Sequence, residues 1–235
     1  MSTAEVRIGE RAGLRLIAAA KPGGGTRWLT RLDPDRARAY EACVARVSPA
    51  IEAALSPPVV SDRVRDPGTL PLRLEPWRTA RDRFVRRVGD LSKAGALARA
   101  DVRDCFGAIT PTMVDRGLRD LGCERSDCHE IVGLLQEMAA HGVRGLPVGP
   151  VPSAVLANAV LEPADRALTL GGIRHVRWVD DFMIAAADAD WALRSLEVVR
   201  SAVAAIGLEL CGRKTRVLEV PDGVDWEPSG SGARI

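Results

Sequence analysis

VRWVDDFMI, residues 176–184, sets an Asp-Asp pair between two short apolar runs. Runs of this length around a polar pair read as two strands and a turn. Residues 173–179 and 182–187 are therefore expected to form a hairpin with Asp180 and Asp181 at its tip. Taken alone, such a pair reads first as the solvated end of an ordinary hairpin. A third carboxylate, Asp101, closes another apolar run, ALARADV at 96–102, which suits a buried strand. By itself it is equally a cap for the segment that follows.

Helices are expected around these strands. Residues 33–55 carry helical patterning, with Asp33 or Asp35 as caps. Residues 76–95 form a basic helix with Trp77, Ala80, Phe84 and Val88 on one face. Two further helices are expected at 111–121 and 126–141. GLPVGPVP (145–152) is a Gly/Pro turn that leads into a helix over 153–168. Leu193, Leu196, Val199, Val203 and Ile206 form a helical stripe, and LELC and TRVLEV are short strand candidates. Residues 1–26 are poorly patterned, with KPGGGT (21–26) as a flexible loop, and the Gly/Ser/Pro-rich stretch 221–235 is expected to be a mobile tail.

A chain of 235 residues is long enough for one large domain or two small ones. The net charge is only +2, yet just three of the 33 basic residues are lysines (Lys21, Lys93, Lys214). Arginine forks match phosphate oxygens, so nucleic acid is a reasonable partner; the same bias also follows from a GC-rich genome. The five cysteines form no C-x-x-C pair, and His129, His141 and His175 are scattered, so no zinc pattern emerges. An odd cysteine count behind an opening without signal-peptide character points to reduced thiols in a cytoplasmic protein. No apolar run approaches membrane-spanning length.

Four segments occur in order: ADVRDCFGAI, GLPVGPVPSAVLANAVL, VRWVDDFMI and GLELCGRKTRVLE. They resemble motifs A, B, C and D of reverse transcriptases, over roughly residues 96–219. Within motif B, LPVGP resembles bacterial abortive-infection and defence-type reverse transcriptases, with diversity-generating enzymes as the nearest competitor. Motif C normally reads aromatic, any residue, Asp-Asp, and here it is Trp178-Val179-Asp180-Asp181.

The resemblance implies that Asp101 and Asp180 bridge two Mg²⁺ ions, with Mn²⁺ as a substitute. The Val102 carbonyl would complete one metal shell, and Asp181 would be the peripheral carboxylate. Two such ions, about 3.5–4 Å apart, stabilise the attacking and leaving oxygens of nucleotidyl transfer, and Mg²⁺ takes hard oxygen ligands. Phe106, five residues after Asp101, stands where an aromatic ring excludes a ribose 2′-hydroxyl, which favours dNTPs. Gly149 belongs to the turn whose backbone approaches the nascent base pair, and Val148 replaces a common Gln. Ser153 and Asn158 match polar positions of motif B, although a helix cap or an exposed polar site fits either equally. Trp178 replaces the commoner Tyr as a support for the primer end. Lys214 matches the motif D lysine that protonates departing pyrophosphate. Asp104 is expected to be exposed or to position a basic group, and is not counted as a ligand. Arg73, Arg78 and Arg81 fall where fingers residues would meet triphosphate or template.

The expected fold is α+β: a polymerase palm with an antiparallel sheet backed by helices, reduced fingers and no recognisable thumb. Residues 1–95 would be the fingers-like region, 96–220 the palm and 221–235 the tail. The expected activity is RNA-directed DNA polymerisation, with template, primer and dNTPs as partners and a second subunit or non-coding RNA as a further one. Phage defence is the role that the LPVGP resemblance implies. Template-independent or protein-primed synthesis, and a catalytically retired nucleic-acid-binding scaffold, are the alternatives.

Overall fold

The computed structural model describes residues 13–21 and 24–218. Two strands open it: β1 (Leu14–Ala20) and β2 (Thr26–Leu32) pair antiparallel. Helix α1 (Pro34–Ala54) follows, with the Asp33 side chain accepting the Arg36 N–H at 2.7 Å. That cap satisfies one orphan donor of the first turn. Then come α2 (Trp77–Ser92), β3 (Ala96–Asp101), a short α3 (Cys105–Ala108), α4 (Pro111–Asp120), α5 (Arg125–Ala140) and α6 (Val151–Leu170). The chain closes through β4 (His175–Trp178), β5 (Asp181–Ala186), α7 (Ala189–Ala205) and β6 (Arg216–Leu218). The last four strands form one antiparallel sheet in the order β4-β5-β3-β6.

Strand alternation divides the interior into two clusters on opposite faces of this sheet. Ala96, Ala98, Ala100, Phe182 and Ile184 join a large core with α1, α4, α5, α6 and α7. Leu97, Val176, Trp178, Met183 and Ala185 join a smaller one with Ala80, Phe84, Val88 and Leu91 of α2. The alanines of β3 are weak strand formers, but their small side chains let α7 pack closely against the sheet. Burial of an aromatic such as Phe84 contributes about 1.5–3 kcal/mol. The large core runs from Leu14 to Leu210, so α1 shares its interior with α5 and α6 across the boundary placed at residue 95.

Four details differ from the sequence reading. Within the poorly patterned N-terminal stretch, residues 14–20 are a strand; only Leu14 and Leu16 of it are buried, which leaves little alternation to detect. LELC forms no strand: Leu210 makes a single bridge to Val102 before the 212–214 turn. The buried face of α7 uses Ala192 and Ser195, while Leu193 is exposed, because small residues permit the closer approach to β3. TRVLEV contributes only Arg216–Leu218 to the sheet among the described residues. The expected tail at 221–235 and the first 12 residues lie outside the described residues.

Candidate active site

Antiparallel register sets Asp101, the last residue of β3, directly opposite Asp181, the first of β5. Asp180 sits in the β4–β5 turn, where its carbonyl accepts the Val102 N–H at 3.0 Å. One carboxylate oxygen from each of Asp101, Asp180 and Asp181 lies within 4.8 Å of the others. Asp101 and Asp181 are almost fully buried. Among the described residues, Asp181 Oδ2 is buried and accepts no hydrogen bond.

Burial and neighbouring negative charge raise the proton affinity of a carboxylate. Burial, then the neighbouring Asp181 and Asp101, push the Asp180 carboxyl up to about 7. Burial also lifts Asp181 to about 6, although Arg99 pulls the other way. Two cations lie beside the cluster. Arg99 donates to Asp181 Oδ1 from Nε (2.9 Å) and Nη2 (2.7 Å), and Lys214 Nζ donates to Asp101 Oδ2 at 2.8 Å. Partial burial works against the Lys214 charge, but the bond to Asp101 and the nearby carboxylates outweigh it and raise its pKa. The 211–215 turn delivers this lysine: the Cys211 N–H donates to the Asp101 carbonyl at 2.7 Å, which fastens the turn across the end of β3.

The turn that carries the aspartates is strained. Val179, a β-branched residue, has a φ of +54°, a left-handed conformation that costs on the order of 1–3 kcal/mol. It is pinned from both sides: its N–H donates to Ser61 Oγ at 2.7 Å, and its carbonyl accepts from Arg177 Nη1 at 2.6 Å. Arg177 is fully buried. Its Nε reaches both Asp165 oxygens at 3.0 and 2.9 Å, and Nη1 also donates to Asn158 Oδ1 at 3.0 Å. Asn158 Nδ2 in turn donates to the Ser61 and Asp62 carbonyls, each at 3.3 Å. Helix α6 thus reaches the Asp180 turn through Arg177, and the loop after α1 reaches it directly through Ser61.

The GLPVGP segment docks against α3 and β2. The Leu146 N–H donates to the Phe106 carbonyl at 2.8 Å, and the Thr30 N–H to the Val148 carbonyl at 2.8 Å. Gly145 has a φ of +62°, and a Cβ there would stand 2.2 Å from the Phe106 carbonyl oxygen, so only glycine allows this contact. Gly149 needs glycine for its backbone alone: its φ is +123°, while a Cβ there would meet the Thr30 carbonyl oxygen at an ordinary 3.4 Å. Asp104 pairs with Arg144 at the edge of the segment.

Two expected contact residues are corrected. Trp178 is not a free platform: it is buried edge-on against Phe84 and Trp77, with centroids 5.5 and 6.4 Å away. It shares a sheet face with Asp181, but α2 covers its ring. Ser153 is fully buried and hydrogen-bonded to Tyr40 at 3.1 Å, inside the core rather than on a nucleotide-facing surface. Asn158 is neither cap nor exposed polar residue, but part of the Arg177 network. Val102 is buried beside the aspartates, and Phe106 is half-buried. The Arg81 guanidinium lies 5.6 Å over the Trp77 ring. Arg78 is exposed on α2, and Arg73 is exposed in the preceding loop, where its carbonyl accepts the Arg65 N–H at 2.9 Å.

Sequence reasoning missed Arg99, Arg177, Asp165 and Ser61. Arg99 carried a usable signal: it is a charge inside an apolar strand, two residues before Asp101 and therefore on the same face. The others meet only through the fold.

An antiparallel sheet that presents three clustered carboxylates, two from its central strands and one from the β4–β5 turn, with a lysine beside them, is the arrangement of a palm-type nucleotidyltransferase. A sequence model of the reverse transcriptase (RNA-dependent DNA polymerase) family matches residues 20–226, and the chain belongs to that family. Among solved structures, telomerase from Candida albicans, in complex with a TWJ fragment of telomeric RNA, superposes with a TM-score of 0.50 at 11% identity. The match covers 91% of this chain and 44% of the telomerase chain, so the chain spans less than half of that relative and shares its fold. No curated protein matches the sequence.

Proposed function

We propose that the chain is an RNA-directed DNA polymerase that extends a primer 3′ end with dNTPs. The observation that supports this best is the convergence of Asp101, Asp180 and Asp181 within 4.8 Å, with a buried Asp181 oxygen that accepts no hydrogen bond from the described residues. Hard, anionic oxygens at that spacing suit Mg²⁺, or Mn²⁺ in its place. Asp101, Asp180 and Asp181, with the Val102 carbonyl, would hold two ions. When bound, these would act as Lewis acids toward the attacking 3′-oxygen and the leaving phosphate.

The remaining roles belong to side chains and backbone. Lys214, already hydrogen-bonded within the cluster, is a proton donor for the departing pyrophosphate. Phe106 limits the space beside the sugar and selects against a 2′-hydroxyl. Gly149, without a Cβ, lets the chain approach the nascent pair. Arg73, Arg78 and Arg81 contact phosphates without reading bases. Residues 96–220 act as the palm and residues 1–95 as the fingers-like region, with RNA template and DNA primer as partners. Among the described residues no helix is long and apolar enough to cross a membrane. The resemblance of LPVGP to defence-type enzymes is the support for a role in phage defence.

Primer extension tests the reading. With Mg²⁺, the full chain is expected to extend a DNA primer on an RNA template with dNTPs and to reject rNTPs. Extension without any template would favour terminal or protein-primed synthesis. Tight nucleic-acid binding without incorporation under any condition would favour a scaffold.

A further inference from the structure

Arg99 has no part in the roles above, yet it touches the cluster more closely than any other arginine. Strand alternation puts it on the Asp101 face of β3. Its Nε and Nη2 both donate to one oxygen of Asp181, Oδ1, at 2.9 and 2.7 Å. Both side chains are withdrawn from water, 11% exposed for Arg99 and 1% for Asp181. The second oxygen, Oδ2, is buried and accepts no hydrogen bond among the described residues. A carboxylate held in this way has one oxygen left to offer a cation. Its negative charge is also partly cancelled at contact distance, where low dielectric makes the pairing strong. Asp180 differs: among the described residues the Arg99 fork goes to Asp181, and no arginine side chain hydrogen-bonds to Asp180.

We infer that Arg99 is a positioning residue that fixes Asp181 as a one-oxygen, partly neutralised ligand, and that it thereby holds down the affinity of the cluster for divalent cations. This rests on the reading of the three aspartates as metal ligands. The arrangement explains how a carboxylate can be buried in the cluster without adding its full charge to the cation's binding energy. Removing Arg99 would restore that charge and strengthen binding. A merely structural loss would loosen the cluster and weaken binding, so the sign of the change separates the two roles.

The test is Mn²⁺ titration of the full chain without nucleic acid, following free Mn²⁺ by electron paramagnetic resonance. Arg99→Met is expected to tighten Mn²⁺ binding about tenfold, the size of effect a neighbouring charge has on a proton equilibrium. Arg99→Lys should stay within about threefold of wild type, because it keeps the charge. In an Asp181→Asn background, Arg99→Met should change affinity less than about twofold, since the arginine acts through Asp181. A second comparison leaves Arg99 in place: Asp181→Asn should cost several-fold less affinity than Asp180→Asn. Unchanged or weaker binding in a folded Arg99→Met protein, or equal losses in the two aspartate variants, would overturn the inference and leave the metal site standing. Absence of Mn²⁺ binding in the wild type would overturn the metal-site reading and this inference with it.

Discussion

Asp165 and Asp181 are both 1% exposed, one behind the β4–β5 hairpin and one in front of it, and their surroundings differ in kind. Behind, burial alone would raise the Asp165 carboxyl, but Arg177 and His175 outweigh it and hold it below its ordinary range. Both Asp165 oxygens accept from Arg177 Nε, and Nη2 lies 2.7 Å from Oδ2 as an ion pair. In front, Asp180 and Asp181 are pushed up to about 7 and about 6. The same act, burying a carboxylate, serves fixation on one side and, on the proposed reading, readiness for a cation on the other. The difference lies in how far the protein matches the charge: Arg177 and His175 serve one carboxylate behind, whereas Arg99 and Lys214 serve three in front. Val179 joins the two regions, because Arg177 holds the carbonyl next to Asp180.

The largest expected effect breaks the front. Asp180→Asn keeps the size of the side chain and removes a charge that, on the proposed mechanism, the metals and the developing 3′-oxygen would need. Primer extension should fall by several orders of magnitude, about 4 kcal/mol or more of barrier. Nucleic-acid affinity should persist, since the proposed binding rests on arginine–phosphate contacts. Without metal, the variant should melt no lower than wild type, because it relieves repulsion. A metal-free melting loss as large as that of a rear variant would erase the distinction between the two regions.

Breaking the rear should act on stability first. Arg177→Met leaves Asp165 buried without its main partner, and Asp165→Asn leaves Arg177 in the same position. Each should cost about 3–5 kcal/mol, as expected when one member of a buried pair is removed. For a chain of this size that is on the order of 10 °C in melting temperature. Extension by the folded fraction should also fall, because Val179 loses the donor that pins its strained conformation. Differential scanning calorimetry beside a single-turnover assay measures both. Full activity in folded Arg177→Met would show that the turn holds its shape without the arginine.

The front was legible in the sequence and the rear was not, for a physical reason. Asp101, Asp180 and Asp181 announce themselves because they border apolar runs, and strand alternation can be read locally. The helices at 33–55, 76–95 and 153–168 were legible from spacing and caps, and the structure places α1, α2 and α6 there. Arg177 and Asp165 lie 12 residues apart on different elements, and only the packing of α6 under the sheet makes them partners. Trp178 and Ser153 mislead for the complementary reason. Their chemistry suits a nucleotide site and their positions match the motifs, but local sequence does not tell that α2 covers the ring or that Tyr40 takes the hydroxyl.

The smallest expected effect sharpens the comparison most, because pH should move the two regions in opposite directions. Folded Asp180 and Asp181 hold protons up to about 7 and about 6, whereas both lose them near 3.8 when the chain unfolds. Between about 4 and 7 the folded protein therefore binds more protons, and its stability rises as pH falls through that window. Asp165 is depressed below 3.8, so its contribution is complete above that value and is lost on further acidification. Metal-free protein in EDTA should gain a few degrees of melting temperature from pH 7.5 to about 5, at roughly 2–4 °C per kcal/mol, and lose it again below about 4. Asp180→Asn should flatten the upper limb and leave the lower one. Mg²⁺ should raise the melting temperature at pH 7.5 and flatten the same limb, since a cation competes with protons for the ionised carboxylates. A metal-free melting profile that is level from pH 5 to 7.5 would mean that solvent or neighbours already compensate the front, and the contrast with Asp165 would disappear.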